Sequence, residues 1–159
     1  MNQKQGLLLD SQALRTVDPT DPVVTQNKIV IVVAPGLAPG MAANRCAVLA
    51  TGIAARHPEI LGPDVHCADG QSLAGITKVP IAVLTVADLP ALRALETQAR
   101  TQGCATWVYL GRAQGVRSYE AYGESVAATA YADLDMDAIA LYGSRKSVAK
   151  LTGSLPMLK

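Results

Sequence analysis

Ile29-Val30-Ile31-Val32-Val33 narrows the folds open to this chain more than any other stretch. Consecutive β-branched residues disfavour helix, and a run without polar alternation describes a strand covered on both faces. Such a strand lies inside a sheet with helices above and below it. The chain then breaks at Ala34-Pro35-Gly36-Leu37-Ala38-Pro39-Gly40. Helical spacing follows through Met41, Cys46, Leu49 and Ile53, up to Arg56-His57-Pro58.

The same succession recurs downstream. Pro80-Ile81-Ala82-Val83-Leu84-Thr85-Val86 reads as a second strand. Asp88 then caps a helix with Pro90 in its first turn, Leu92 and Leu95 as apolar positions and Gly103 as its stop. Ala105 to Leu110 is a third strand, ending at Gly111-Arg112-Ala113-Gln114-Gly115, and a helix runs through Tyr119, Tyr122 and Val126. Met136 to Tyr142 is a fourth strand, after which Gly143-Ser144-Arg145-Lys146-Ser147 turns into a short helix ending at Gly153. Between the first two strands, Val65 and Cys67 alternate with His66 and Asp69-Gly70 is a hairpin dipeptide, which predicts a small hairpin excursion. The expected class is α/β: a three-layer α/β/α sandwich around a four-stranded mixed, mostly parallel sheet, plus that hairpin. Residues 28–159 read as a single domain. Residues 1–27 read as an arm, since Pro19 and Pro22 oppose both helix and central strand. Leu7-Leu8-Leu9 offers either a short docking helix or a disordered leader.

Composition removes several classes of function. A length of 159 residues suits one domain, and half-hydrophobic content with 17% charged residues is incompatible with general disorder. Fourteen basic against 13 acidic residues leave +1, so nothing favours coating nucleic acid or an anionic membrane by global charge. No apolar run approaches the ~20 residues of a membrane span, and the first residues hold too short an apolar stretch for a secretion signal. A cytoplasmic location is expected. Cys46, Cys67 and Cys104 are odd in number and have no paired spacing, so neither a disulfide framework nor a zinc site is expected, and no cofactor. Phe is missing, and all five Tyr together with Trp107 stand at or after position 107. Small aliphatic packing elsewhere suits helices lying close on a sheet better than an aromatic ligand cage.

Two strand-to-helix turns are candidate ligand sites. Around Gly36, Gly40, Met41, Ala42 and Asn44, glycine lets a ligand approach the backbone and the following helix offers unpaired N–H groups. Neither the dinucleotide nor the phosphate-loop fingerprint is present, and a plain tight connection is the alternative. The second turn holds Gly143, Ser144, Arg145 and Lys146. Cations in the first turn of a helix oppose its dipole, and Lys150 shares a helical face with Lys146, so an anion site competes with a solvated basic face. His57 and His66 lack a neighbouring nucleophile motif. Asp133-Leu134-Asp135-Met136-Asp137 begins like a calcium loop but fails at Ala138 and Ser144, where glycine and glutamate are required. No catalytic residue emerges.

The stretches Pro35 to Asn44 and Leu141 to Leu158, with Gly62-Pro63-Asp64, Asp69-Gly70 and Gly75-Ile76-Thr77, resemble the domain-of-unknown-function family number two thousand. The resemblance runs from about Lys28 to the C-terminus. That family more distantly resembles the type II peptidyl-tRNA hydrolases. Their fold is thereby implied, a four-stranded mixed sheet between helices with first and last strands adjacent, and so is a homodimer. Ala42-Ala43-Asn44 is similar to the hydrolases' Ala-Ala-Gln, but their preceding lysine pair is missing. Tyr109-Leu110-Gly111-Arg112-Ala113-Gln114 stands where they have Asp-Ala-Gly-Arg-Thr-Gln, so the Asp and Thr implicated in hydrolysis are replaced by Tyr109 and Ala113. Their Asp-Lys-Val-Thr-Gly resembles Ala149-Lys150-Leu151-Thr152-Gly153.

Binding of a small anionic ligand is therefore the leading expectation. With first and last strands adjacent, both turns would open into one crevice at the strand C-termini. Peptidyl-tRNA hydrolysis by replacement groups is the enzymatic alternative, and a structural or interaction module the third. Tyr119, Tyr122 and Val126 form a stripe that faces either the sheet or a second copy.

Overall fold

The computed structural model describes residues 20–159. The expected elements are present: β1 (Asn27–Val33), α2 (Pro39–Arg56), β4 (Ile81–Thr85), α3 (Leu89–Thr101), β5 (Ala105–Leu110), α4 (Tyr119–Ala127), β6 (Met136–Ser144) and α5 (Arg145–Thr152). The excursion is a hairpin of β2 (Val65–His66) and β3 (Ser72–Leu73).

A helix not anticipated by the sequence, α1 (Pro22–Gln26), occupies the end of the segment read as an arm. Pro22 opens it instead of forbidding it, because the first helical position needs no N–H and Asp21 accepts from the Val23 N–H as its cap. Lys78 pairs with the same Asp21 carboxylate at 2.6 Å and ties α1 to the body. The reading of Leu7-Leu8-Leu9 lies outside the described residues.

The sheet order is β4–β1–β6–β5, so the first and last strands are indeed neighbours. The sheet is mixed but not mostly parallel. Only β1 and β4 run parallel, whereas β6 is antiparallel to both β1 and β5. The reason lies in α4. At nine residues it is about 14 Å long and buries none of them, so it does not carry the chain back across the sheet. β6 consequently starts at the end where β5 stops.

Helices cover both faces. On one, Ala42, Leu49 and Ile53 of α2 pack on Ile29, Ile31, Val33, Ala138 and Ala140. On the other, Leu92, Leu95 and Ala99 of α3 and Val148 of α5 pack on Val30, Val32, Ile139 and Leu141. The α2 side of the sheet also holds Trp107, Tyr109 and Tyr142, with the His57 ring 4.5 Å from that of Tyr142. His57 is thus an aromatic packing partner, and His66 is exposed on the excursion. Cys104 belongs to the core and Cys46 packs partly against it. Burial pushes both thiols up.

Candidate functional site

The structure does not bring the two predicted turns together. Val33 lies opposite Ala138 and Asn27 opposite Ser144, so the turn after β1 and the turn after β6 sit at opposite ends of the sheet. Six residue steps at about 3.4 Å put them roughly 20 Å apart. Antiparallel pairing is the cause, and the single crevice expected from the sequence is not formed. Gly36 takes a positive φ of 77° in the first turn, and Gly40 and Met41 lie in the first turn of α2, where Ala42 is buried in the core. Asn44 stays exposed. At the other end Gly143 is still in β6, and Ser144 caps α5 by accepting from the Ser147 N–H. Arg145 donates to the carbonyls of Thr25 and Val24 at 3.1 and 3.2 Å, so its guanidinium caps the C-terminus of α1. Lys146 and Lys150 are exposed along α5.

A different place has the character of a ligand site. A groove of about 510 Å³ runs beside β5, within the usual size range of small-ligand pockets. Trp107 and Tyr109 of β5, Val48 and Gly52 of α2, and Tyr119 and Tyr122 of α4 line it. Four of the chain's six aromatic side chains therefore collect in this groove, contrary to the expectation that aromatics would not frame a site. Gly52 permits the arrangement: a Cβ there would come within 3.1 Å of Trp107 Cδ1. Tyr119 is 87% exposed, its ring centre 5.7 Å from that of Tyr122 and tilted by 50° to it, while Tyr122 and Val126 pack against the core. Of the predicted stripe, only Tyr119 is thus free of the molecule's own interior. Burial pushes the Tyr122 phenol up, with the neighbouring Tyr119 and Asp135 acting in the same direction.

Charge in the groove has one sign. Among the described residues Arg117 is the only ionisable side chain lining it apart from the tyrosines, and it makes no ion pair or hydrogen bond with any of them. Tyr109 and Ala113 both line the groove, and among the described residues no carboxylate, histidine or cysteine does.

Behind Tyr109 stands a polar cluster that sequence reading missed. Arg45 of α2 is 1% exposed and donates through Nε and Nη2 to Asp137 Oδ2 at 3.3 and 3.0 Å. Its guanidinium lies 4.5 Å from the centre of the Tyr109 ring, a cation–π contact, and the Tyr109 hydroxyl donates to Asn44 Oδ1 at 3.4 Å. The cluster fixes the Tyr109 ring that forms one end of the groove. The other wall is held by Arg112, whose Nη1 donates to Ser125 O, Ser125 Oγ and Thr129 Oγ1 of the α4 region, while its Nε pairs with Asp135.

Asp135 makes this wall sensitive to acid. Burial would raise its carboxyl, but the Arg112 guanidinium and backbone N–H outweigh burial and hold it below the ordinary value. A carboxyl depressed in the folded state contributes stability that is complete above the unfolded value, about 3.9, and is lost as pH falls through the lower folded value. Acid unfolding below about pH 4 is therefore expected to be steeper for the native chain than for Asp135→Asn, measured by circular dichroism. The partial exposure of the pair keeps the difference within about 1 kcal/mol.

Taken as a class, this is a three-layer α/β/α protein whose four-stranded mixed sheet leaves an aromatic groove along one edge. The chain belongs to the family described as "Protein of unknown function (DUF2000)", whose model matches residues 27–159. A solved protein of unknown function from Agrobacterium tumefaciens strain C58 is similar in fold, with a TM-score of 0.77 and 23% identity over 84% of this chain and 98% of that one. No curated protein matches the chain. Among the described residues, no helix is long and apolar enough to cross a membrane.

Proposed function

We propose that the chain is a cytoplasmic binding protein for an anion with an apolar or aromatic body, held in the groove beside β5. The observation that carries this reading is Arg117: a cation with no partner among the described residues, at a groove walled mainly by aromatic and aliphatic side chains. An apolar body gains by leaving water against Trp107 and the tyrosines, and a carboxylate end gains a charge-assisted pair. The anionic ligand expected from the sequence is kept, and its place moves from the two turns to the sheet edge. Hydrolysis is the weaker reading, because the described residues that line the groove supply no carboxylate or histidine as a base to activate water. We also propose the homodimer implied by the family resemblance, which light scattering at tens of micromolar reads directly.

The test uses 4-phenylbutyrate and its neutral counterpart 4-phenylbutanol, with fluorescence of Trp107, the only tryptophan, as the signal. At about 0.3 kcal/mol per non-hydrogen atom, a modest ligand efficiency, a ligand of this size is expected to bind in the millimolar range. The acid is expected to bind about tenfold more tightly than the alcohol, and Arg117→Ala to abolish that preference. Lys146→Ala leaves the titration unchanged. Equal binding of acid and alcohol, or no response at tens of millimolar, overturns the proposal.

A further inference from the structure

We infer that the groove receives an extended peptide, which adds as a fifth strand to the free edge of β5 and places its terminal carboxylate at Arg117. This rests on the binding proposed above and names the class of ligand. Trp107, Val108, Tyr109 and Leu110 all line the groove. Successive strand residues point to opposite faces of a sheet, so a cavity touching four in a row wraps the strand's edge instead of lying on one face. That edge is free: β5 pairs only with β6 among the described residues.

The two edges of the sheet are treated differently. On β4 the chain lays its own tail against the edge through an isolated bridge of Leu84 and Met157, with the Thr85 N–H donating to Pro156 O at 3.0 Å and the Leu158 N–H to Val83 O at 3.1 Å. Among the described residues β5 has no such cover, and Ala105-Thr106-Trp107-Val108-Tyr109-Leu110 carries neither proline nor charge, the usual devices that blunt an edge. Its unpaired main-chain groups give an incoming strand its hydrogen bonds, while the walls take alternate side chains.

Shape and charge select the occupant. Val48 of α2 and Tyr119 of α4 flank the edge from the two faces, so β5 lies at the floor of a trench. A second copy's β5 is recessed between the same walls and does not reach that floor. A single extended chain does, and the lined stretch matches about four residues, roughly 14 Å. Arg117, with no counter-ion among the described residues, complements one negative charge, which a peptide with uncharged apolar side chains carries at its C-terminus.

The experiment screens fluorescein-labelled heptapeptides with free carboxylates, Gly-Ser-Gly followed by four positions drawn from Val, Leu, Phe and Trp, by fluorescence anisotropy against the full chain. The best binder is remade as its C-terminal amide and with single N-methyl groups at successive peptide nitrogens. The amide is expected to bind about tenfold more weakly, and Arg117→Ala to bind acid and amide alike. Strand pairing uses every second N–H, so N-methylation is expected to abolish binding at alternate nitrogens and spare the others. Equal effects at all nitrogens, or no preference for the acid, overturn the inference. If no peptide binds while 4-phenylbutyrate still reports through Trp107 in an Arg117-dependent way, strand addition falls and the binding reading stands. If both fail, both fall. A dimer that Val48→Glu dissociates makes a second copy the occupant and also overturns the inference.

Discussion

Asp137→Ala is expected to destabilise the fold by about 3–5 kcal/mol, lowering the melting temperature by roughly 10 °C. The size follows from what is left behind. Arg45 is 1% exposed and its only ionic partner among the described residues is Asp137, so removing the carboxylate strands a buried guanidinium against the Tyr109 ring. Asp137 is itself strained for partners, since its Oδ1 is buried and accepts no hydrogen bond from the described residues. Replacing both ends, Arg45→Met with Asp137→Leu, is therefore expected to recover most of the loss, because a hydrophobic pair of similar volume carries no desolvation penalty. Thermal melts of the single and double variants check this, and a double variant as unstable as Asp137→Ala would contradict it. Because the same guanidinium holds the Tyr109 ring, the double variant should also bind 4-phenylbutyrate more weakly.

The second large effect is expected at Gly75→Ala. A Cβ there would sit 2.0 Å from Gly62 O and 2.7 Å from Pro63 O, and both are backbone atoms that cannot swing aside. One of the two segments must move. The hydrogen bonds at risk are Gly62 N–H to Ile76 O at 2.8 Å and Gly75 N–H to Asp64 Oδ1 at 3.0 Å. Losing these and the adjoining bridge of Leu61 to Thr77 costs roughly 2–4 kcal/mol, felt locally. Hydrogen exchange should show residues 61–77 opening while β1 and β6 stay protected. Unchanged protection at Gly62 and Lys78 would show that the close approach is not a constraint.

The central strand and its turn were legible because their signals are local: five β-branched residues in sequence, then Pro and Gly. Direction was not. Whether β6 runs with or against β1 depends on how far α4 carries the chain, and nothing local in Tyr119–Ala127 announces a helix that buries none of its residues. That one reversal separated Arg145 and Lys146 from Gly36–Asn44 and removed the expected crevice. Arg145 also looked like a dipole-breaking cation only because its partner, the C-terminus of α1, hides behind a proline pair. The groove did leave a trace. Aromatic residues confined to position 107 and beyond include the four that line it, a signal for a site instead of against one. Arg45 and Asp137 are 92 residues apart, and no spacing rule pairs them.

Where a ligand sits is read most directly by the amide chemical shifts of isotope-labelled chain titrated with 4-phenylbutyrate. Binding at the sheet edge predicts perturbations along Val48–Gly52, Trp107–Leu110 and Val116–Tyr122, lost in Arg117→Ala. Perturbations gathered instead around Gly143–Lys150 or Gly36–Asn44, with the β5 edge silent, would contradict it.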